Sequence, residues 1–158
     1  MARIVNAAFI GSCAAALAFA ANAAEGDACG LLTPAQVAAA VGTAVGQGTH
    51  VTPTFVKTCT WTPADKSKIA AVTLNLQAAA VYDGGKRQAA MGAAIGKDMG
   101  MKAASVGDDA YYFTSPGQVQ LFVKKGAASF KVVVYARIAA ADKEAMEMKL
   151  ATAVAGKL

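Results

Sequence analysis

The sequence predicts an α+β fold: an antiparallel sheet of about five to six strands, with helices packed on it and one disulfide. Strand patterns occur in runs rather than alternating one for one with helical patterns, which favours an antiparallel sheet. Cysteines stand at 29 and 59, and a well-formed helix start directly follows the first of them. These observations predict a single domain over residues 24–158 of the 158-residue chain.

Residues 1–23 have the pattern of a secretory signal peptide. Arg3 supplies the positive charge, an alanine-rich apolar run follows, and Ala21-Asn22-Ala23 matches the small-x-small cleavage pattern. An alternative is that the segment ending at Cys13 is a bacterial lipobox, with Cys13 as the acylated residue. No later segment approaches the roughly 20 apolar residues that a membrane span needs. We therefore expect a periplasmic or secreted bacterial protein without a transmembrane span in its mature chain.

Cys29 and Cys59 are predicted to form the disulfide. Removal of the signal leaves these two cysteines, an even number in an oxidising compartment. Closing a loop of this length should stabilise the fold by roughly 3–4 kcal/mol. A redox or metal pair is the alternative, but the spacing is not C-x-x-C and no further ligands stand nearby in the sequence. Trp61 shares a strand face with Cys59 and is expected to pack over the bridge.

The first helix is predicted over 34–41. The Thr33 hydroxyl suits the N-cap, and Pro34 suits the first helical position, where no N–H donor is needed. Gln36 can return a hydrogen bond to the Thr33 amide and complete a capping box. Gly42 stands where a left-handed residue would end the helix.

The remaining elements follow from hydrophobic periodicity. The clearest is a strand in which Val72, Leu74 and Leu76 alternate with polar residues. A weak helix rich in glycine follows it, and Asp142 is expected to cap the last helix. Strands are predicted over 54–62, 69–77, 111–113, 119–123 and 128–137, helices over 82–95 and from Asp142 to 155, and either loop or a short strand over 96–105.

The net charge is mildly positive. After signal removal, 14 Lys and Arg stand against 10 Asp and Glu, a balance of about +4. The basic residues are scattered, and no run exceeds two. Nucleic-acid binding normally shows a denser patch, often with interleaved aromatics, so no nucleic-acid partner is expected. Weak attraction to anionic envelope material is compatible with this charge, and a solvated surface is the simpler interpretation.

His50 is the one histidine in the sequence. Any Ser/His or Cys/His nucleophile scheme must use it, and oxidation of both cysteines removes the thiol version. Because it stands among glycine and threonine residues, we expect an exposed loop residue without a role. A single histidine also disfavours a zinc site of the usual kind.

Asp108 and Asp109 are the carboxylates considered for acid/base chemistry. Paired carboxylates carry glycosidic hydrolysis, which gives a periplasmic hydrolase as one alternative function. Both residues stand in a predicted turn, where Asp commonly bonds local backbone.

Met99 and Met101 give a second alternative. Thioethers suit copper(I), which gives an exported soft-metal carrier as an alternative function, although methionine more often fills the core.

Short motifs carry a resemblance to a family of small secreted or lipid-anchored bacterial domains of unknown function. The matching residues are Asp27, Cys29, Leu31, Leu32, Thr33, Gly42, Cys59, Trp61, Val106, Gly107, Asp108 and Ala110. The family is similar to PsbP-like α/β/α sandwiches, so the resemblance implies that architecture. It implies no catalytic residues and no cofactor.

The leading hypothesis is a monomeric, exported, non-catalytic domain that binds another envelope protein or ligand. It assigns no catalytic, cofactor-binding or metal-ligating residue, because the sequence contains no complete set of any of these.

Overall fold

The computed structural model describes residues 26–158. The predicted signal peptide and the alternative at Cys13 lie outside the described residues. A 3-10 turn, Ala28–Gly30, comes first. The helices are α1 (Pro34–Val41), α2 (Ala79–Ala94) and α3 (Ala140–Ala155), and the strands are β1 (Thr49–His50), β2 (Thr58–Trp61), β3 (Ile69–Ala78), β4 (Met101–Ala104), β5 (Asp109–Ser115), β6 (Gln118–Lys125) and β7 (Ala128–Ala136).

The strands form one antiparallel sheet in the order β1-β2-β3-β7-β6-β5-β4. The α+β class is confirmed, but the sheet has seven strands in the described chain, so the prediction of five to six was too low. Strand β4 lies in the segment that was ambiguous. Strand β1 has two residues, too few for a period-two pattern to reveal. Strand β2 starts later than predicted because the Phe55 N–H donates to the Thr52 carbonyl at 3.0 Å and closes a turn.

The predicted helix start is confirmed. The Gln36 amide donates to Thr33 Oγ1 at 3.2 Å, and the Thr33 amide donates to Gln36 Oε1 at 3.0 Å. Gly42 ends α1 with a φ of 74°, a left-handed conformation that glycine adopts without strain. The predicted disulfide is also present, with Cα atoms 5.0 Å apart. It ties the turn before α1 to strand β2.

Two other predicted helix starts are wrong. Helix α2 begins at Ala79 rather than Tyr82, directly where β3 ends. Asp142 does not cap α3, because the amides of Asp142 and Lys143 already donate to the Ala139 carbonyl. Ala139 is therefore the N-cap, without a side-chain bond, and Asp142 lies in the first turn, where a carboxylate interacts favourably with the helix dipole.

Helices cover both faces of the sheet. The main core joins α1 and α3 to one face, which we call the inner face, through residues such as Val37, Leu74, Phe130 and Leu150. Helix α2 lies on the other, outer face, where Tyr82 packs against Tyr111, with ring centroids 5.1 Å apart. Within residues 26–158, none of the helices combines the length and the apolar character needed to cross a bilayer.

Candidate functional site

A cleft opens where β6 and β7 separate. These strands pair from Leu121 and Val132 to Lys125 and Ala128, whereas β3 continues to pair with β7 as far as Ala136. At the end of β7 that no longer pairs with β6, the Val134 N–H donates to Glu147 Oε1 at 2.9 Å instead. A β-bulge between Ile69 and Ala71 adds to the irregularity, and such bulges are frequent beside functional sites.

The cleft has a volume of about 620 Å³, within the range of small-molecule sites. Its walls come from the loop before β3, the turn between β5 and β6, the end of β7 and the start of α3. The residues that line it are Lys66, Ser67, Lys68, Ala70, Pro116, Gly117, Gln118, Val134, Tyr135, Ala136, Arg137 and Lys143.

Four cationic side chains line this basic cleft: Lys66, Lys68, Arg137 and Lys143. None of them lies within ion-pair distance of a carboxylate in the described residues. The Arg137 N–H donates to the Lys68 carbonyl at 2.9 Å, which holds two of these residues side by side. Lys143 is buried, and its ammonium donates to the Gly117 carbonyl at 2.8 Å. The cations therefore carry positive charge that no carboxylate of residues 26–158 pairs with.

Glu147 lies behind the cleft and is completely buried. Burial raises its pKa to about 8, although the hydrogen bond from Val134 and the charge of Lys143 oppose the shift. Its Oε2 has no hydrogen-bond partner among the described residues. Burial therefore favours the neutral, protonated form of this carboxyl next to Lys143.

His50 is not the exposed loop residue that the sequence predicted. It lies on β1, with Nδ1 3.5 Å from Cys29 Sγ and Nε2 3.4 Å from a carboxylate oxygen of Asp27. The expectation that no further ligands stand near the cysteines is therefore wrong, because these three side chains are close enough to share an ion. Cys29 is bonded to Cys59, however, and a disulfide sulfur lacks the thiolate that metals bind.

Trp61 lies beside the bridge on the inner face, and both Trp61 and Cys59 are fully buried. A Cβ atom added at Gly48 would lie 2.5 Å from Cys59 Sγ and 2.8 Å from Trp61 Nε1. The absence of a side chain at Gly48 is thus what allows the backbone before β1 to cover the indole and the sulfur.

Asp108 and Asp109 pair with different lysines. The carboxylate of Asp108 accepts from the Gly126 amide at 2.7 Å and from Lys125 at 2.9 Å; these bonds lower its pKa, the Gly126 amide most. The Lys86 ammonium, 2.7 Å from Asp109, lowers the pKa of that carboxyl. Lowered pKa values make both carboxylates weak bases and keep them from acting as acids near neutral pH.

Met99 and Met101 line a second cavity, of about 370 Å³, between α2 and the outer face of strands β4 to β6. A Cβ atom at Gly92 would lie 2.7 Å from Met99 Cγ, so Met99 packs closely against α2. Aromatic side chains line the cavity together with the two thioethers, and none of the described residues that line it is charged.

Sequence reasoning missed the basic cleft because its cations are far apart in the chain. Lys68 stands just before β3 and Arg137 just after β7, and these strands are neighbours in register, with Ile69 opposite Ala136. The signal was present as a basic residue at each of these two strand ends. Reading it required knowing that β3 pairs with β7, which no local pattern gives.

We compared the chain with protein-family models, with curated proteins and with solved structures, and none of the three comparisons found a match. The resemblance to the family of PsbP-like exported domains therefore stays a prediction.

Proposed function

We propose that the protein is an exported, non-catalytic domain whose basic cleft binds an anionic component of the cell envelope through phosphate or carboxylate groups. The observation that supports this most is the convergence of four cations on one cleft without a carboxylate partner among the described residues. Cations that are not neutralised internally attract anions from solution. Arg137 can hold phosphate or carboxylate in bidentate fashion.

The chemistry around the cleft favours binding over catalysis. Hydrolysis needs a general base or acid whose pKa lies near the working pH. Glu147 has a raised pKa, but it is buried, and one of its oxygens is occupied by the Val134 amide. Asp108 and Asp109, the candidates for a hydrolase, line a different depression beside the last turn of α3.

The test is an isothermal titration calorimetry experiment with tripolyphosphate, a compact polyanion of defined charge. We expect binding with one molecule per protein. The double variant K68Q/R137Q should weaken it by about tenfold, since each exposed cation contributes up to about 1 kcal/mol to an ion pair. Phosphate release should not be detected in the same samples.

The matched control is K97Q/K149Q, which removes the same charge from exposed lysines outside the cleft. This variant should keep most of the affinity. Equal weakening by both double variants would show that the protein attracts anions only through its net charge. Absence of any binding at low salt would contradict the proposed function.

A further inference from the structure

The cavity under α2, which we call the α2 groove, differs from the basic cleft in chemistry. Its aromatic and thioether lining comes from Met99, Met101, Tyr111, Phe113 and Phe122. Helix α2 contributes Val81, Gly85, Gln88 and Ala89, so the helix forms a wall and the sheet forms the floor. The two glutamines, Gln88 and Gln120, are its most polar members. An alkyl chain would find apolar contacts along most of this lining.

The floor belongs to a row of residues that crosses the outer face of the sheet. Tyr111 lies opposite Phe122, and Phe122 lies opposite Lys131 on the neighbouring strand. The rings of Tyr111 and Phe122 are stacked with centroids 5.0 Å apart. The Lys131 ammonium lies 5.6 Å from the Phe122 centroid, so the row ends in a positive charge.

Lys131 has no carboxylate within ion-pair distance in the part of the chain that the structure describes. It is half-buried on the sheet, next to Phe122 on β6 and opposite Asn75 on β3. Burial lowers the pKa of its ammonium, because partial removal from water disfavours the charged form. The attraction between this ammonium and a bound anion is stronger in a partly dehydrated place than in water.

We propose that the α2 groove binds a long-chain monocarboxylate, with its alkyl chain along the thioether and aromatic lining and its carboxylate on Lys131. Phe122 lines the groove and also lies 5.6 Å from the Lys131 ammonium. An apolar lining with a cation beside it is complementary to an amphipathic anion and to neither a sugar nor a polyphosphate. This site is independent of the basic cleft, on which the proposed function rests.

Dodecanoate is the probe, used below its aggregation concentration, with dodecanol as the uncharged comparison. Binding is followed by NMR of protein labelled at the methionine methyl groups. The signals of Met99 and Met101 should shift, whereas those of Met146 and Met148 on α3 should not. Affinity should rise by up to about fourfold for each CH₂ added from octanoate to dodecanoate, the value of burying a methylene.

Two variants distinguish the binding contribution of the ligand's alkyl chain from that of its carboxylate. K131Q should bring the affinity for dodecanoate down to that for dodecanol, a loss of about fivefold or more, while K149Q should leave the preference intact. A89F fills the groove from the α2 wall and should weaken both ligands. Its unfolding midpoint is measured alongside, and if A89F is poorly folded, the methionine shifts and K131Q decide.

The proposal is overturned if dodecanoate shifts the methyl signals of Met146 and Met148 as much as those of Met99 and Met101. It is also overturned if K131Q keeps the preference for the carboxylate, or if neither ligand binds.

Discussion

The helices cover the two faces of the sheet to different degrees. On the inner face, α1 and α3 cover a continuous core that contains Trp61, Leu74 and Phe130, all fully buried. On the outer face, α2 buries Tyr82 and Gly92, while Val81 and Met91 of the same helix stay exposed, as does Ile95 directly after it. The inner face therefore supplies most of the hydrophobic stabilisation, and the outer face retains room for a ligand.

Glycines explain part of this difference. Helix α2 approaches the sheet at Gly85, where an added Cβ would lie 2.5 Å from Tyr111 Oη. Helical glycine costs about 1 kcal/mol relative to alanine, so α2 is an intrinsically weak helix held by its contacts. The glycines weakened the helical pattern in the sequence, and the glycine at 85 allows α2 to pack closely against Tyr111.

The greatest loss of stability is expected from a substitution in the inner core, and two phenylalanines, one on each face, allow a matched test. Phe130→Ala removes a buried ring from the inner core and should lower the free energy of unfolding by about 3–5 kcal/mol. Phe113→Ala removes a half-exposed ring from the outer face and should cost much less. Urea unfolding of both variants measures this, and equal losses would contradict the asymmetry between the faces.

The disulfide adds to the stability of the inner face, because it fastens the turn before α1 to β2 on the side of the inner core. The double variant C29A/C59A should lose about 3 kcal/mol through release of the constrained loop. Urea unfolding with and without a reductant measures this. The reductant should destabilise the wild-type protein and leave the variant unchanged; a wild-type protein indifferent to reductant would contradict the expected role of the bridge.

Glu147 is the ionisable exception within the inner core. Its folded pKa, about 8, is higher than its ordinary value of 4.5, so the folded state holds the proton more tightly. Stability from this group is therefore fully present below about pH 4.5 and is lost as the pH rises towards 8. One pKa unit is worth about 1.4 kcal/mol, so the total loss should exceed that value.

Glu147→Gln keeps the size of the side chain and its acceptor for the Val134 amide. Its stability should change less between pH 5 and 8 than that of the wild-type protein, as measured by urea unfolding across this range. Parallel curves for the two proteins would show that Glu147 is not protonated in the folded state.

The smallest change in stability is expected at the exposed turn before β5. Asp108 is half exposed, with a lowered pKa, so its contribution is present above its ordinary pKa and is lost as the pH falls through the lower folded value. Asp108→Asn should leave stability at pH 7 nearly unchanged, because exposed ion pairs are screened by water. The variant D108N/D109N also tests the hydrolase alternative, which survives only if a measurable turnover disappears with these substitutions.

Local signals predicted the parts of the fold that depend on local chemistry. The capping box at Thr33 and Gln36, the left-handed Gly42 and the alternation around Leu74 each follow from a few neighbouring residues, and all are confirmed. The bridge between Cys29 and Cys59 was predicted from an even number of cysteines and the expectation of an oxidising compartment, and the bridge is confirmed.

Features that depend on distant strand pairing could not be predicted in the same way. The contact of His50 with Cys29 requires β1, a strand of two residues. The burial of Glu147 requires the separation of β6 from β7, because its side chain takes the place of a strand partner for Val134. In the helical pattern of the sequence, Glu147 is indistinguishable from an exposed residue.

Whether anions bind in the basic cleft is decided by locating the bound anion. In an amide NMR titration with tripolyphosphate at low salt, we predict that the largest shifts occur at Lys68, Gly117 and Arg137, around the mouth of the basic cleft, and that they fade as salt is added. Shifts concentrated around Lys97 and Lys149, or spread evenly over the basic surface, would contradict it.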